Sequence, residues 1–266
     1  MDAHSPALYG RTANTWMWNG YLDANYHSMQ ASLNKAFSGG AMIRMNYTWS
    51  KAINMTDEDG WTTDLTFNWD PVFGRSRAVA GYDRTHAFTF GGAYELPFGK
   101  GKRFGNTSRL AMALLGGWQT NGTLVYYSGA PFNVTADGST LNAPGNTQTA
   151  DQVGDVVYLG GIGPGQPYYA TNAFAAVTGV RFGTTGRNTL RGPGLFNTDM
   201  SVFRTFSILE RVNIQFKAEA FNLTNTPKFS NPNANVSTPG TFLQVTSTRS
   251  DVNSERQFRF GLRLNF

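Results

Sequence analysis

Three acidic residues that follow one another are the first candidates for chemistry in this chain. Asp57, Glu58 and Asp59 form an uninterrupted run, and clustered carboxylates are the ligands that hard cations such as Ca²⁺ prefer. A short acidic run is more often the solvated tip of a loop, so we predict no resident metal. We interpret these side chains as candidate contacts between an external loop and a ligand.

Aromatic side chains in predicted loops offer a second way to hold a ligand. Trp61, Trp69, Tyr168 and Tyr169 lie outside any strand-like pattern, and their flat apolar faces suit sugar rings and planar chelates. Packing within the loop is the commoner role of such residues. Ligand contact and loop packing therefore both stay open as interpretations.

No set of residues indicates catalysis or a bound cofactor. The chain contains no cysteine, and His4, His27 and His86 are too dispersed for zinc-ligand spacing or a Ser-His-Asp set. The glycines of residues 160–165 suggest a phosphate loop, but no Lys-Ser/Thr pair follows them. We therefore predict a protein that is not an enzyme and carries no cofactor.

The composition limits the fold classes that can position these residues. Charged residues make up 15% of the 266 and aromatic residues 14%, while the mean hydropathy is −0.34, so most of the polarity comes from neutral side chains. No apolar run approaches the roughly 18 residues of a membrane helix. The 22 basic residues exceed the 17 acidic ones but are scattered, which argues against nucleic acid as a partner. An all-β protein remains, either a secreted sandwich or an outer-membrane barrel.

Alternation of apolar and polar residues predicts about seven long antiparallel strands. The predicted strands are residues 25–37, 41–50, 84–96, 118–128, 196–208, 212–223 and 257–266. An ordinary strand has about 5 or 6 residues, and a tilted strand that crosses a bilayer needs about 9 to 11. The predicted lengths favour the bilayer.

The connections between these strands alternate strictly between short and long. Short turns are predicted at residues 38–40, 97–109 and 209–211, and long loops at residues 51–82, 129–194 and 226–255. In an up-and-down meander this alternation places every long loop at one end and every short turn at the other. Outer-membrane barrels have short periplasmic turns and long external loops, whereas a secreted sandwich has no physical reason to show this asymmetry.

The two faces of the predicted strands differ in chemistry. One set is apolar or aromatic, and the other is mostly Ser, Thr, Asn, Gln and Gly, which suits a wet barrel interior. Lys35 and Arg204 interrupt the apolar set near short turns, where long side chains can reach lipid headgroups. Aromatic residues lie towards the strand ends, as two interfacial girdles require. The girdle residues are Tyr47, Trp49 and Tyr126 on the loop side, and Phe37, Tyr94, Phe206 and Phe266 on the turn side.

The last predicted strand ends in a distinct pattern. Arg259 and Gly261 are followed by Leu264 and a terminal Phe266, which resembles the signal that the barrel assembly machinery captures in outer-membrane barrels. A strand captured in this way needs an exposed edge and an alternating apolar face. We expect these four residues to form the assembly signal.

Four parts of the chain carry a family resemblance. They are residues 25–35 with 46–51, residues 82–86 with 95–101, residues 117–119 with 128–132, and residues 210–225, which include the sequence KAEAFNLTN. Together they resemble TonB-dependent outer-membrane receptors of the Oar-like, carboxypeptidase-regulatory-domain type. The resemblance covers nearly all of the chain beyond about residue 20.

The resemblance implies the C-terminal part of a transport barrel that takes up a scarce nutrient. Complete receptors of this kind have a signal peptide, an N-terminal sandwich domain, a plug and a barrel of about 22 strands. We expect residues 1–20 to be a loop or the end of a preceding strand, residues 21–266 to be the C-terminal part of the barrel, and the whole to belong to a longer precursor with a signal peptide. The implied partners are outer-membrane lipid, the barrel assembly machinery, the TonB complex through the missing N-terminal part, and a small ligand such as a siderophore, cobalamin, an oligosaccharide or a peptide.

Two other functions remain compatible with the pattern. One is a secreted β-sandwich used for adhesion or carbohydrate binding, and the other is a small independent outer-membrane barrel with residues 8–18 as an eighth strand. If the seven strands stand alone, we expect an open curved sheet whose first and last strands lack neighbours.

Overall fold

The computed structural model describes residues 20, 22–57, 65–99, 101–104, 109–141, 147–209, 212–252 and 254–266. The strands within this part of the chain are β1 (Ala24–Ser38), β2 (Ala41–Asn54), β3 (Ala78–Val79), β4 (His86–Glu95), β5 (Trp118–Tyr127), β6 (Pro131–Phe132), β7 (Asp151–Gln152), β8 (Phe174–Ala175), β9 (Leu190–Arg191), β10 (Leu195–Leu209), β11 (Val212–Phe221) and β12 (Gln257–Asn265). One α-helix, α1 (Arg109–Leu115), and 3-10 helices at Asp70–Ser76, Gly138–Leu141 and Thr171–Ala173 accompany them. None of these helices has the length and apolarity needed to span a bilayer.

The long strands form one antiparallel sheet in chain order. The order is β1-β2-β4-β5-β10-β11-β12, with the two-residue β3 added beside β2. The remaining short strands pair outside this sheet, β6 with β9 and β7 with β8. The predicted meander of seven long strands is therefore confirmed. A sandwich needs two facing sheets, and the long strands of the described chain lie in a single one.

Residue pairing across the sheet keeps the two chemical faces separate. Each strand is in register with the next so that apolar side chains lie beside apolar ones. One such row runs Leu33, Met45, Phe90 and Leu124 across β1, β2, β4 and β5. The neighbouring row on the other face runs Ser32, Asn46 and Thr89 across β1, β2 and β4.

The sheet does not close within the described residues. β1 pairs only with β2, and β12 pairs only with β11, so one edge of each strand has free backbone N–H and C=O groups. The expected open sheet with two unpaired edges is confirmed.

The connections differ in length at the two ends of the sheet. Ser38 and Ala41 are joined by Gly39 and Gly40, whose φ angles of 61° and 79° are those that a two-residue type I′ hairpin turn requires. A second short connection, at residues 210–211, lies outside the described residues. At the opposite end the chain forms loop 1 (residues 55–85), loop 2 (residues 128–194) and loop 3 (residues 222–256). We call these ends the turn end and the loop end.

The third short connection contains a helix that the sequence did not predict. Residues 97–109 were expected to be a turn, but α1 extends from Arg109 to Leu115. Its last turn is held by two side chains from the sheet, since Trp118 Nε1 and Arg204 Nη1 donate to the Leu114 carbonyl at 2.9 and 3.0 Å. These donors satisfy a carbonyl that a helix end leaves unpaired.

The packed core of the described chain lies in the loops and not in the sheet. Loops 2 and 3 share a cluster of buried apolar residues, and loops 1 and 2 share a smaller one. The first contains Phe132, Val134, Ala150, Ala173, Phe174, Leu190, Phe242 and Leu243, and the second contains Phe67, Leu141 and Phe182. The three loops therefore form one packed body at the loop end, which we call the loop layer.

Candidate functional site

The polar face of the sheet lines a cavity of about 750 Å³. Residues from β1, β2, β4, β5, β10 and β11 border this space, and strands about 4.8 Å apart can share one cavity only if the sheet curves around it. The polar lining includes Asn34, Arg44, Thr123, Asp199 and Glu219. The polar face is therefore the concave one, although apolar side chains such as Met42 and Phe221 also border the cavity.

Charged side chains on the concave face pair with one another. Glu219 of β11 lies 2.6 Å from Lys217 Nζ on its own strand and 2.6 Å from Arg259 Nε on β12. Ser201 Oγ donates to Asn121 Oδ1 at 2.6 Å on the neighbouring strands. These neutral and paired polar groups form a wettable wall of mixed charge.

The opposite face presents large apolar side chains to its surroundings. Phe258, Phe260, Leu262 and Leu264 of β12 are 57–77% exposed. An apolar face of this extent is not stable against water but matches the hydrocarbon of a bilayer.

The predicted girdle residues lie at the two ends of the apolar face. At the loop end Trp49 and Tyr126 are exposed, and the Tyr47 hydroxyl hydrogen-bonds with His86 Nδ1 at 2.8 Å. At the turn end Phe37, Tyr94 and Phe266 are exposed, and Phe206 is half-buried beneath the guanidinium of Arg204, 4.4 Å from the ring centre. Arg204 also donates to α1, so this charge is held by a carbonyl and a ring at the edge of the apolar face.

The four residues of the predicted assembly signal lie on and just beyond the last strand. Arg259 and Gly261 face the concave side with their partners Glu219 and Lys217. Leu264 and Phe266 lie on the apolar side, and Phe266 is 95% exposed. The signal residues are therefore accessible on a strand that has a free edge.

Asp57 is the one member of the acidic run that the structure describes, since Glu58 and Asp59 lie outside the described residues. Its carboxylate joins loops 1 and 2: it accepts the Gly81 N–H at 2.6 Å and the Asn188 amide at 2.8 Å, and lies 2.9 Å from Arg187 Nη1. Burial acts to raise the pKa of Asp57, but hydrogen bonds from Gly81, Asn188 and Asn54 and the charge of Arg187 outweigh it and hold the pKa below its ordinary value. Among the described residues no group of three His, Asp or Glu side chains could hold a metal ion.

A second ion pair between the same loops buries its carboxylate, whereas the first buries its guanidinium. The Asp83 side chain is fully buried and lies 2.6 Å from Arg191 Nη2. Asp83 also accepts the Ala52 N–H at 2.8 Å, which ties the pair to the end of β2. The guanidinium of Arg191 donates in addition to the Gly129 carbonyl at 3.0 Å, so one cation links the start and the end of loop 2.

The predicted tyrosines of loop 2 pack together. Tyr168, Tyr169 and Tyr158 form edge-to-face pairs with ring centres 5.0–5.5 Å apart. Burial raises the pKa of both Tyr168 and Tyr169, and the Tyr169 hydroxyl donates to the Arg191 carbonyl at 2.7 Å. In this arrangement both residues are occupied in loop packing, while Tyr158 is 62% exposed.

The other predicted loop aromatics do not join this cluster. Trp69 is 38% exposed at the start of a 3-10 helix in loop 1, where its ring is accessible to a ligand. Trp61 lies outside the described residues.

Sequence reasoning missed the arginines that hold the loop layer together. Arg187 is buried and donates to the carbonyls of Ser76 and Asn54 at 3.1 and 2.6 Å, more than 100 residues away in the chain. Arg75 donates to the carbonyls of Gly183 and Thr185 at 2.7 and 2.6 Å. No spacing in the sequence relates such distant partners, and the loops show no hydrophobic period that would have indicated their packing.

Comparison with known proteins supports the architecture described above. The family model described as an outer membrane beta barrel domain matches residues 2–259. No curated protein and no solved structure matches the chain. The predicted barrel-type fold and the outer-membrane location are thus confirmed, since the matched region spans almost all of the 266 residues.

Proposed function

Because this chain belongs to the outer membrane beta barrel domain family, we propose that it forms the C-terminal part of the barrel of a TonB-dependent receptor. In this role the seven long strands supply part of the wall, and loops 1, 2 and 3 supply part of the external surface that captures a scarce nutrient. The family membership rests on the match to residues 2–259, and the receptor assignment on the segment resemblance given above.

The two free sheet edges are the observation that carries the proposal. A strand in a membrane needs a partner on both sides, because unpaired backbone groups cost several kcal/mol each in hydrocarbon. β1 and β12 each pair on one side within the described residues. Further strands must complete the wall, as they would in a barrel of about 22 strands.

The partners follow from this role. Bilayer lipid covers the apolar face, and the barrel assembly machinery binds the free edge of β12 together with Phe266. The TonB complex acts through a part of the receptor outside this chain. The cargo is a small ligand such as a siderophore, cobalamin, an oligosaccharide or a peptide. The wall and its loops bind and admit this ligand without catalysis or a cofactor.

Cysteine labelling tests the orientation of the wall. The chain has no cysteine, so Asn172→Cys in loop 2 and Arg103→Cys in a short connection each introduce a single thiol into an exposed position. A membrane-impermeant maleimide should label the first in intact cells and the second only after the outer membrane is permeabilised. Labelling in the reverse order would overturn the orientation.

A growth assay tests the transport role separately. Deleting the gene should abolish use of one nutrient from the four ligand classes, and deleting TonB should produce the same defect. Normal use of that nutrient in the TonB deletion would refute the receptor assignment while leaving the barrel intact.

The isolated chain distinguishes a wall section from a small complete barrel. Two free edges and an apolar outer face favour aggregation, so the isolated 266 residues should aggregate in plain buffer. Refolding in detergent to a monodisperse species with heat-modifiable migration would instead indicate an independent barrel.

A further inference from the structure

Loop 2 contains an irregular two-stranded ribbon with one uncovered backbone edge. Residues 151–160, which we call the outer arm, run antiparallel to residues 168–175, the inner arm. The arms pair through β7 and β8 at the base of the ribbon. Two hydrogen bonds join them nearer its tip, from the Leu159 N–H to the Tyr168 carbonyl at 3.0 Å and from the Ala170 N–H to the Val157 carbonyl at 2.9 Å.

The inner arm and the tip of the ribbon are anchored to loop 3. The Tyr168 N–H donates to the Leu243 carbonyl at 2.7 Å, and the Gly163 N–H donates to the Val245 carbonyl at 2.9 Å. Leu243 belongs to the buried core of the loop layer. The outer arm is therefore held in an extended shape before any partner arrives, which lowers the entropic cost of binding.

The main-chain groups of Tyr158 face away from the ribbon. Tyr158 and Tyr169 form a bridge pair, and the hydrogen bonds on either side of it use the Val157 carbonyl and the Leu159 N–H. Since main-chain groups alternate in direction along a strand, the N–H and C=O of Tyr158 point to the outer side. Neither group has a hydrogen-bond partner among the described residues. An added strand pairs with groups of this kind.

The side chains of the outer arm are apolar and accessible. Residues 152–159 are all exposed. The five large apolar side chains among them are 38–63% exposed, and they are Val153, Val156, Val157, Tyr158 and Leu159. An apolar run of this kind at the loop end, outside the lipid, is a typical feature of a binding surface.

The charge of the outer arm indicates the sign of its partner. Asp155 is the one charged residue of the exposed run. Asp151, at the start of the arm, is paired with Arg181 at 2.7 Å, but none of the ion pairs between described residues includes Asp155. A second copy of this edge would bring a second carboxylate, whereas a segment with basic side chains is complementary to it.

We propose that the outer arm of loop 2 binds an extended peptide with apolar and basic side chains by strand addition. The proposal rests on the receptor role argued above and selects one of its four ligand classes. A peptide backbone offers outward N–H and C=O groups at every second residue, at the spacing of a β-strand. An oligosaccharide has no such row of amide groups.

Peptide binding to the complete polypeptide encoded by the gene tests this site. The protein is purified in nonionic detergent and titrated against a fluorescein-labelled peptide of sequence Lys-Val-Thr-Val-Thr-Val-Lys, with fluorescence anisotropy as the readout. The valines supply apolar contacts, and the lysines can reach Asp155. The same peptide with N-methyl groups on its internal residues keeps the side chains but loses the N–H donors of both edges. It should bind at least about tenfold more weakly.

Two substitutions of Tyr158 separate the backbone edge from the ring. Tyr158→Ala and Tyr158→Pro both remove the ring, but only the second removes the outward N–H. An edge strand tolerates proline where the N–H does not pair with the neighbouring strand, so proteolysis of loop 2 should be the same in the two variants. Tyr158→Pro should bind the peptide about fivefold more weakly than Tyr158→Ala, the usual loss for one hydrogen bond.

A charge reversal tests the role of Asp155 independently of the backbone. Asp155→Lys should change the preference from the lysine peptide to the same peptide with glutamates in place of the lysines, by about fivefold. Glu255→Lys makes the same charge change at an exposed position of loop 3. This control variant should keep the preference of the unaltered protein for the lysine peptide.

Four binding results would overturn the site. They are no binding of the lysine peptide by the unaltered protein, equal binding of the methylated peptide, equal binding by the two Tyr158 variants, and an unchanged charge preference in Asp155→Lys.

Two further measurements identify other occupants of the edge. Val157→Cys introduces a single thiol at an exposed position, and its failure to react with a maleimide in the complete protein would show that other parts of the receptor cover the outer arm. A dimer in analytical ultracentrifugation that Tyr158→Pro dissociates would assign the edge to a second copy. Either result would refute the peptide site.

The growth assay separates this inference from the receptor proposal. A TonB-dependent nutrient defect combined with no peptide binding overturns the peptide site and leaves the receptor assignment standing. Peptide binding that depends on Tyr158 and Asp155, combined with normal nutrient use in the TonB deletion, overturns the receptor assignment and leaves the binding edge standing.

Discussion

Replacing Asp83 by asparagine should loosen the loop layer without disturbing the sheet. The carboxylate is fully buried, accepts the Ala52 N–H at 2.8 Å and pairs with Arg191 at 2.6 Å. Asparagine can still accept from Ala52 through its carbonyl oxygen, but its amide then faces the guanidinium donor to donor. The contact between loops 1 and 2 is thereby lost, while the contact with β2 is kept.

The size of the effect follows from the burial of the two partners. Removing one partner of a buried ion pair costs about 3 to 5 kcal/mol of stability. The Arg191 side chain is 35% exposed, so water can solvate its guanidinium after the substitution and reduce this cost. We therefore expect a loss of about 2 to 3 kcal/mol, in line with hydrogen bonds to charged groups. Since about 1.4 kcal/mol corresponds to a factor of ten, local opening should become about 30 to 140 times more frequent.

Hydrogen exchange of the membrane-reconstituted protein measures this opening directly. Amides of loops 1 and 2 should exchange faster in Asp83→Asn by that factor, while those of β4, β5 and β10 should not change. Asp23→Asn is the matched control, because Asp23 and Arg77 form an exposed pair at 3.4 Å with 61% and 45% of their side chains accessible. Exposed pairs contribute about 0 to 1 kcal/mol. Equal exchange in the two variants would refute the assignment of a structural role to the buried pair.

Three further changes test other parts of the structure. Leu141→Ala removes a fully buried side chain from the contact between loops 1 and 2 and should lower the stability of this contact by about 2 to 5 kcal/mol. The expected result is faster proteolysis of loop 2. Unchanged proteolysis would contradict the packing role of Leu141. The pKa of Asp57 in the folded protein lies below its ordinary value of 3.8, so the ionised carboxylate stabilises the fold fully at pH values above 3.8 and loses this effect as the pH falls through the lower, folded-state pKa. Hydrogen exchange in loops 1 and 2 should therefore become faster on acidification. Asp57→Asn should make this exchange less dependent on pH. Gly99 has a φ of 110°, and an added Cβ would lie 2.7 Å from the Cα of Gly116, so Gly99→Ala should impair folding of the connection between β4 and β5. Gly101 also has a positive φ but lies in open space, so Gly101→Ser should impair folding less. Equal folding yields of the two variants would refute the packing argument.

The sequence predicted the bounds of the long strands closely, because lipid and water each select the residue types on one face of the sheet. β10 was predicted at residues 196–208 and extends from Leu195 to Leu209, and β5 was predicted at residues 118–128 and extends from Trp118 to Tyr127. On each strand lipid selects apolar side chains on one face and water selects polar ones on the other. The resulting period of two is local, so it can be recognised without knowing the partner strand.

The local pattern was insufficient where distant residues decide the conformation. β2 continues four residues past its predicted end at residue 50, to Asn54. There Ile53 and Asn54 pair with β3, and the Ala52 N–H is held by Asp83. Similarly, α1 was missed, and a carbonyl in its last turn is bound by Arg204, a residue 90 positions later.

The loop layer shows the same limit for the candidate site. Asp83 and Arg191 are 108 positions apart, and their contact at 2.6 Å depends on the packing of loop 1 against loop 2. Because the strands must satisfy lipid and water at nearly every position, they have little freedom to carry a specific site. The loops have that freedom, and their buried contacts give them the rigidity that a specific site needs. A site built in this way depends on the whole loop layer, so substitutions in its apolar core should change ligand affinity even where they contact no ligand.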